Sequence, residues 1–192
     1  MRPLAPLLVL ALCAPLAGHA APPAEGKAVF GIPLGAPVNK IEGARQFKPG
    51  WFQVAAPPRP DPRFEKVAVE AFSKTGVCVV QGVSPMVRAD PDGAKIRAAI
   101  DTLADDFSAR YGQPEKLDVC KGFACAAQTW GEDMQIGDRR YGYRWEVRGG
   151  PIRTVSVVAV AHSVSSFTYV VQFDSAELTG CRFEELSSGA GD

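Results

Sequence analysis

A stripe of five large apolar side chains near the middle of the chain sets the strongest condition on its fold. Its members recur at intervals of four, three, four and four residues, which is the period of one helix face: Ile96, Ile100, Leu103, Phe107 and Tyr111. The polar residues of the other side are predicted to face water: Lys95, Asp101, Asp105 and Ser108. Burying such a stripe contributes up to about 1.5 to 3 kcal/mol per large side chain, far more than helix propensity supplies. The helix therefore needs an apolar sheet to lie on.

Both ends of this helix carry boundary residues. Asp90 can cap the first turn, Pro91 fits the first helical position, and Asp92 suits the positive end of the helix dipole. Gly112 can adopt the positive φ of a C-terminal stop, and Pro114 prevents continuation. The sequence therefore predicts one long helix between Asp90 and Gly112.

Two apolar segments, 64–72 and 77–83, precede the helix and predict a β-hairpin. The residues that join them, 73–76, have the turn-like sequence Ser-Lys-Thr-Gly. Both segments are apolar at odd and even positions, for example at Val79 and Val80, which is typical of strands covered on both faces.

The last third of the chain carries a second strand signal. Tyr141, Tyr143, Trp145 and Val147 alternate with Gly142, Arg144, Glu146 and Arg148. Turns at 148–151 and 163–166 separate this segment from apolar strands at 154–161 and 167–173. Three strands with short connections predict an antiparallel meander. The expected fold class is α+β, an antiparallel sheet of hairpin and meander with one long amphipathic helix packed on it.

The remaining segments are predicted to be short or irregular. A short strand is expected at 28–32, a brief helix at 38–43 and a strand at 51–54. Four prolines make 55–63 an extended surface connection: Pro57, Pro58, Pro60 and Pro62. Residues 115–130 and 132–139 are predicted to be irregular and loop-like.

The first 20 residues have the pattern of a cleaved signal peptide. Arg2 precedes an apolar run at 4–16, and small residues end at Ala20, where cleavage is expected. A membrane span is the alternative, but the run is shorter than the roughly 20 residues a span needs and prolines interrupt it. A lipid anchor on Cys13 is disfavoured by the bulky Leu12 before it. A disordered linker is expected at 21–27, a single domain at 28–186 and a flexible tail at 187–192.

Export leaves a near-neutral chain. Removal of residues 1–20 leaves 172 residues with 20 basic and 21 acidic side chains. Such a balance offers no electrostatic case for nucleic acid or for a membrane surface. The predicted location is the periplasm or the secreted medium.

Four cysteines remain after export, and an oxidising compartment predicts two disulfides. Three connectivities are open; we favour Cys120 with Cys125, and Cys78 with Cys181, which would tie the hairpin to the end of the last strand. In the loop-entropy model the long bridge contributes about 4 to 5 kcal/mol and the short one about 2 kcal/mol. A metal or redox site is the alternative, but the spacing is C-x4-C and no histidine lies near.

Catalytic motifs are absent from the sequence, and neither a cofactor nor a metal is predicted. His162 is the one histidine that remains after export, so a Ser-His or Cys-His hydrolase would have to use it. A surface or capping role is the simpler interpretation of this histidine.

One basic surface is a candidate binding site. Arg140, Arg144 and Arg148 share the strand face opposite the aromatic residues, with Arg139 and Arg153 nearby. A partner with an acidic patch could bind this stripe. The alternative is a solvated face balanced by acids such as Glu146. The aromatic row itself is predicted to be core under the helix.

Three short motifs resemble a group of exported proteins of Gram-negative bacteria that has no activity to carry over: Phe-Gly-Ile-Pro-Leu-Gly at 30–35, Thr-Gly-Val-Cys-Val-Val at 75–80 and Tyr-Gly-Gln-Pro at 111–114. The helix, this last turn, Trp130 and Tyr-Arg-Trp at 143–145 also resemble the outer-membrane assembly lipoprotein BamE and the β-lactamase inhibitor proteins. Those proteins place a helix, a Gly-x-Pro turn and antiparallel strands in this order.

The predicted function is a non-enzymatic binding, inhibitory or envelope-interaction module with a protein partner in the cell envelope. The alternative is a periplasmic hydrolase that relies on His162.

Overall fold

The computed structural model describes residues 28–121, 125 and 129–188, which are organised around one large antiparallel sheet with helices on both of its faces. The chain is α+β, as predicted, and it contains both favoured disulfides. The predicted signal peptide at 1–20 and linker at 21–27 lie outside the described residues, as do residues 189–192.

Eleven strands and three helices occur in the described chain. The strands are β1 (Ala28–Val29), β2 (Ile32–Pro33), β3 (Ala44–Lys48), β4 (Trp51–Val54), β5 (Lys66–Phe72), β6 (Gly76–Val83), β7 (Val87–Arg88), β8 (Glu115–Cys120), β9 (Arg139–Glu146), β10 (Ile152–Ser163) and β11 (Ser166–Ser175). The helices are α1 (Ala94–Tyr111), α2 (Trp130–Ile136) and α3 (Leu178–Ser188), and a 3-10 turn spans Val38–Lys40.

The large sheet consists of two four-stranded antiparallel meanders. Its strand order is β3-β4-β5-β6-β11-β10-β9-β8, with β7 paired to β11. The two meanders meet where the last strand of each pairs with the other, for example where Val80 lies opposite Phe173. The strands β1 and β2 form a separate small hairpin.

The helix α1 has the predicted buried stripe. Ile96, Ile100, Leu103 and Phe107 are buried, and Tyr111 is half-buried. The helix ends before Gly112, which has a φ of 85° and donates its N–H to the carbonyl of Ser108.

The start of α1 differs from the prediction. The first helical residue is Ala94 rather than Pro91, because Gly93 turns the chain with a φ of 69°. Asp90 still caps the helix, since its carboxylate accepts the backbone N–H of Lys95 at 3.0 Å and of Ile96 at 2.9 Å. A side chain at Gly93 would overlap the indole of Trp130, so this position requires glycine on steric grounds as well.

We call the sheet face that carries α1 and α2 the inner face. Phe107 of α1 packs edge-to-face on Trp145 of β9 with ring centroids 5.7 Å apart. Trp130 of α2 packs on Phe167 of β11 at 5.0 Å. The main hydrophobic core lies in this layer.

The opposite, outer face is covered at one end by α3. Cys181 of α3 is bonded to Cys78 of β6, and around this disulfide pack the side chains of Val79, Trp51, Phe72 and Leu178. This second cluster covers the outer face of β5 and β6 at the end near α3, whereas Val83 and Lys66 at their other end belong to neither hydrophobic cluster. Cys181 lies in a helix, however, and not at the end of the last strand as expected, because the chain leaves the sheet after Ser175.

Two segments predicted to be loops are regular. Residues 115–120 form the edge strand β8, which gains order from pairing with β9 rather than from its own largely polar pattern. Residues 130–136 form α2, in which Trp130 and Met134 are buried one turn apart and Gly137 ends the helix with a φ of 82°. The C-terminal meander therefore has four strands instead of three. Helix α3 extends to Ser188, so residues 187 and 188 of the predicted tail are helical.

Candidate functional site

The four candidate arginines are all exposed: Arg140, Arg144, Arg148 and Arg153. Arg140 and Arg144 lie on the outer face of β9, but Arg148 lies beyond the end of that strand at Glu146. The expected row of three on one strand is therefore a pair. Arg144 forms a surface ion pair with Glu146 at 2.6 Å, as the alternative of a balanced, solvated face implies. Partner binding by these arginines stays a prediction.

The aromatic residues of β9 belong to the inner face. Tyr141 and Trp145 are buried and Tyr143 is half-buried. The hydroxyl groups of Tyr141 and Tyr143 both donate to Oδ1 of Asp101, at 2.6 Å and 2.9 Å. Burial, followed by the hydrogen bond to Asp101, raises the pKa of Tyr141 far above its usual value. Asp101 was predicted to face water; that prediction was wrong, because the two tyrosines reach across from the sheet.

A row of apolar side chains crosses the outer face. We call it the valine row, and its members are Leu117, Val158, Val170 and Val83. They lie on β8, β10, β11 and β6 and are joined in register, with Gly142 of β9 between Leu117 and Val158. All four side chains are half-buried and belong to neither hydrophobic cluster. The row is therefore an apolar strip on an open sheet face.

Charged and further apolar residues surround the valine row. On one side a polar row runs through Glu115, Arg144, Ser156, Gln172 and Gln81. On the other side lie Arg140, Val119 and Val160, the two valines being 47% and 37% exposed. Lys66 continues the row next to Val83 on β5. The two rows next to the valine row, together with Lys66, thus hold three cations and one carboxylate, and the following row adds the carboxylates of Glu146 and Asp174.

His162 is exposed at the end of β10 that leads into β11. Its Nε2 atom lies 3.0 Å from the hydroxyl oxygen of Thr168. A base next to a hydroxyl is one element of a nucleophilic site. Within the described part of the chain, no carboxylate orients the imidazole, and Thr168 is a buried mid-strand residue that is 6% exposed. This contact alone does not form a catalytic triad.

A cavity of about 360 Å³ opens beside the C-terminal end of α1. Its walls come from the β1–β2 hairpin, the segment 59–64, the last turn of α1, and Ile152 and Phe173 of the sheet. The aromatic residues that line it are Phe30, Phe64, Phe107, Tyr111 and Phe173. The ring pairs Phe30–Phe64 and Phe107–Phe173 are edge-to-face with centroids 5.3 Å and 5.9 Å apart.

The rim of this cavity is rich in arginine. Arg59, Arg63 and Arg110 line it together with one carboxylate, Asp61. Arg63 donates to Asp61 from both Nε and Nη2, at 3.0 Å and 2.7 Å, and from Nη1 to Asp106 at 2.7 Å. Burial acts to raise the pKa of Asp61, but the hydrogen bonds from Arg63 outweigh it, so this pKa lies below its usual value.

Sequence reasoning did not find this cavity. The segment 55–63 is free of regular strand or helix, as predicted, but it is a wall of the cavity rather than a plain connection. The available signal was the Asp-Pro-Arg sequence at 61–63, in which a guanidinium and a carboxylate two residues apart are held by prolines.

No family model, no curated protein and no solved structure matches this chain. The resemblances described above therefore stay predictions. Among the described residues, no helix is long and apolar enough to cross a membrane. The same part of the chain contains no group of three or more His, Cys, Asp or Glu side chains placed to hold a metal ion.

Proposed function

We propose that this protein is a non-catalytic binding module of the cell envelope that contacts a protein partner through the outer sheet face. The observation that supports this function is the valine row, an apolar strip of four side chains that crosses five strands outside both hydrophobic clusters. Apolar strips bordered by polar residues are a common feature of protein interfaces.

The chemistry of the border defines the partner. Arg140, Arg144 and Lys66 outnumber the carboxylate of Glu115 in the rows next to the valine row. A complementary surface therefore presents apolar side chains with carboxylates at its edge. Such border charges act mainly on association rate and salt dependence, whereas the apolar centre supplies most of the affinity.

The hydrolase alternative is supported by one contact, that between His162 and Thr168. Replacement of His162 by Ala separates the two functions. A binding module keeps its partner affinity, whereas a hydrolase loses its turnover of ester or peptide substrates by several orders of magnitude.

The binding test begins with a photo-crosslinking residue at Val170, compared with the same residue at Gln53 on the far half of the outer face. The partner captured at Val170 is purified and its affinity is measured by calorimetry. Val158→Asp combined with Val170→Asp should abolish binding, since two carboxylates would be buried against the apolar side chains of the partner. Arg140→Glu combined with Arg144→Glu should weaken it about tenfold or more and reduce its salt dependence.

Arg45→Glu, on the edge strand β3, is the matched control and should leave binding unchanged. Circular dichroism and intact disulfides establish that each variant is folded. An unchanged Kd for the double aspartate variant would refute the proposed surface.

A further inference from the structure

We propose that the cavity beside the end of α1 is a binding site for a small amphipathic anion, in which one carboxylate or phosphate group is joined to an aromatic or short aliphatic body. This site is separate from the valine row, because it lies on the inner-face side of the sheet with Phe107 and Tyr111 of α1 in its wall.

The size and lining of the cavity define the body of the ligand. A volume of about 360 Å³ falls at the lower end of the range for small-molecule sites, roughly 300 to 1,000 Å³. Five aromatic rings line it, and several pack on one another in edge-to-face pairs, so the aromatic part of the wall is preformed. A flat ring or a short alkyl chain fits such a wall.

The charges of the rim define the polar end of the ligand. The guanidinium groups of Arg59, Arg63 and Arg110 line the cavity together with the carboxylate of Asp61, and Asp106 pairs with Arg63. Arg63 is held in place by Asp61 and Asp106. Arg59 forms no ion pair within the described residues, so its planar group is available for an anion. Guanidinium groups bind carboxylate and phosphate in a two-point geometry that favours these anions.

The backbone at Phe30 provides a second, independent observation. Phe30 has a φ of 53° and Gly31 a φ of 78° in the turn between β1 and β2. Glycine or asparagine adopts this conformation more readily than phenylalanine does. The ring of Phe30 nevertheless lies in the cavity wall, packed on Phe64 and on Phe173 at 5.3 Å and 6.3 Å. Strained backbone that places an aromatic ring in a cavity wall is typical of binding sites.

The turn is also tied to the rim. Arg59 donates its backbone N–H to the carbonyl of Phe30 at 2.9 Å, which fixes the segment 59–64 against the hairpin. A side chain at Gly31 would approach Cβ of Pro58 to 2.8 Å, so the two segments are in close contact. The aromatic wall and the basic rim are therefore in direct contact.

The test uses three probes with the same naphthalene body: 1-naphthaleneacetate, 1-naphthyl phosphate and the neutral 1-naphthaleneacetamide. Calorimetry with the oxidised protein should give saturable binding of at least one anion, about tenfold or more tighter than the amide. The stronger of the two anions identifies the headgroup as carboxylate or phosphate. Added salt should weaken the binding of the anion and leave the binding of the amide unaffected.

Two variants locate the site. Arg59→Gln should weaken binding of the anion about tenfold and leave the affinity for the amide unchanged. Arg45 is a distant exposed arginine, so Arg45→Gln should change neither affinity. Ala28→Trp should fill the cavity and weaken the binding of both the anion and the amide. In a two-dimensional amide spectrum of the unaltered protein, the anion should shift the signals of Phe30, Phe64 and Tyr111.

The proposal is wrong if neither anion binds more tightly than the amide, or if the shifted signals lie outside the cavity lining. The spectrum of the unaltered protein gives this answer even if a variant fails to fold.

Discussion

Glu184 is the side chain that joins the last helix to the first hairpin. Its carboxylate accepts four hydrogen bonds from the turn between β5 and β6: from the Ser73 hydroxyl, the Lys74 N–H, the Thr75 N–H and the Thr75 hydroxyl, at 2.8 to 3.0 Å. Desolvation acts to raise the pKa of Glu184, but the hydrogen bonds from Lys74, Ser73 and Thr75 outweigh it and lower the pKa to about 2. The ionised carboxylate is therefore the form that holds the turn.

Replacement of Glu184 by Gln should lower stability in a pH-dependent way. Because the folded-state pKa lies below the ordinary value of 4.5, the carboxylate contributes its full stabilisation above about pH 4.5 and loses it as the pH falls toward about 2. Urea unfolding should therefore show a large difference between Glu184→Gln and the unaltered protein at pH 7. The difference should narrow steadily between pH 4.5 and pH 2.

Glu177→Gln is the matched control, since Glu177 is exposed in the segment before α3 and its carboxylate has no hydrogen bond within the described residues. Its stability should follow that of the unaltered protein at every pH. If the stability difference between Glu184→Gln and the unaltered protein stayed constant from pH 7 to pH 2, the ionised carboxylate would not be the form that stabilises the turn.

At the scale of single residues, the sequence predicts local roles better than it predicts contacts between residues that are far apart in the chain. Asp90 was expected to cap α1 and does so, because capping depends on neighbours in the chain. The contacts of Asp101 with Tyr141 and of Glu184 with Thr75 join residues 40 and 109 positions apart. No local pattern contains such pairs.

At the scale of the element, alternation along β11 separates two environments. Val171 faces the inner layer and is fully buried, whereas Val170 belongs to the half-buried valine row. The two positions share a strand, a residue type and flanking pairs with β10 and β6. They differ only in the face to which they point.

A pair of substitutions on β11 tests this arrangement. Val171→Thr should lower the free energy of unfolding by about 1 to 3 kcal/mol, because it buries a hydroxyl group. Val170→Thr should change it by less than about 0.5 kcal/mol, since threonine is equally suited to a strand and the site is partly solvated. Urea unfolding of both variants is the measurement; equal losses would show that the outer face is covered.

The elements that the sequence predicted are those with their own periodicity. The helix α1, the β5–β6 hairpin and the strands β9 to β11 follow from apolar spacing alone. The strand β8 has exposed residues at four of its six positions and depends on its partner β9. The helix α2 has only seven residues, which is too short for a recognisable stripe. These two elements therefore depend on tertiary contacts rather than on a pattern in their own sequence.

At the scale of the whole molecule, the two meanders are joined through the pairing of β6 with β11 and through the disulfide between Cys78 and Cys181. Breaking the long disulfide by Cys78→Ala with Cys181→Ala should cost about 4 to 5 kcal/mol, since it closes a separation of 103 residues. Breaking the short one by Cys120→Ala with Cys125→Ala should cost about 2 kcal/mol, for a separation of 5.

Chemical unfolding of the two double variants under oxidising conditions measures this difference. Each variant serves as the control for the other, because both lose one bridge and two sulfur atoms. A lower stability for the short-loop variant would contradict the dependence of the stabilisation on loop length.

The candidate sites show what a sequence cannot provide at this scale. Arg140 and Arg144 are close in sequence, so alternation was enough to place them on one face. The cavity instead unites Phe30, Arg59, Arg110 and Phe173, which come from four separate parts of the chain. Only the folded topology brings them together.

The positions of the four cysteines affect how the chain matures. Cys120 and Cys125 both lie between Cys78 and its partner Cys181. A polypeptide that emerges from its N-terminus therefore exposes Cys78 to two wrong thiols before the right one exists. Rapid closure of the five-residue loop removes both competitors. Once the short bridge has formed, Cys78 and Cys181 are the two of these four cysteines that are left to pair.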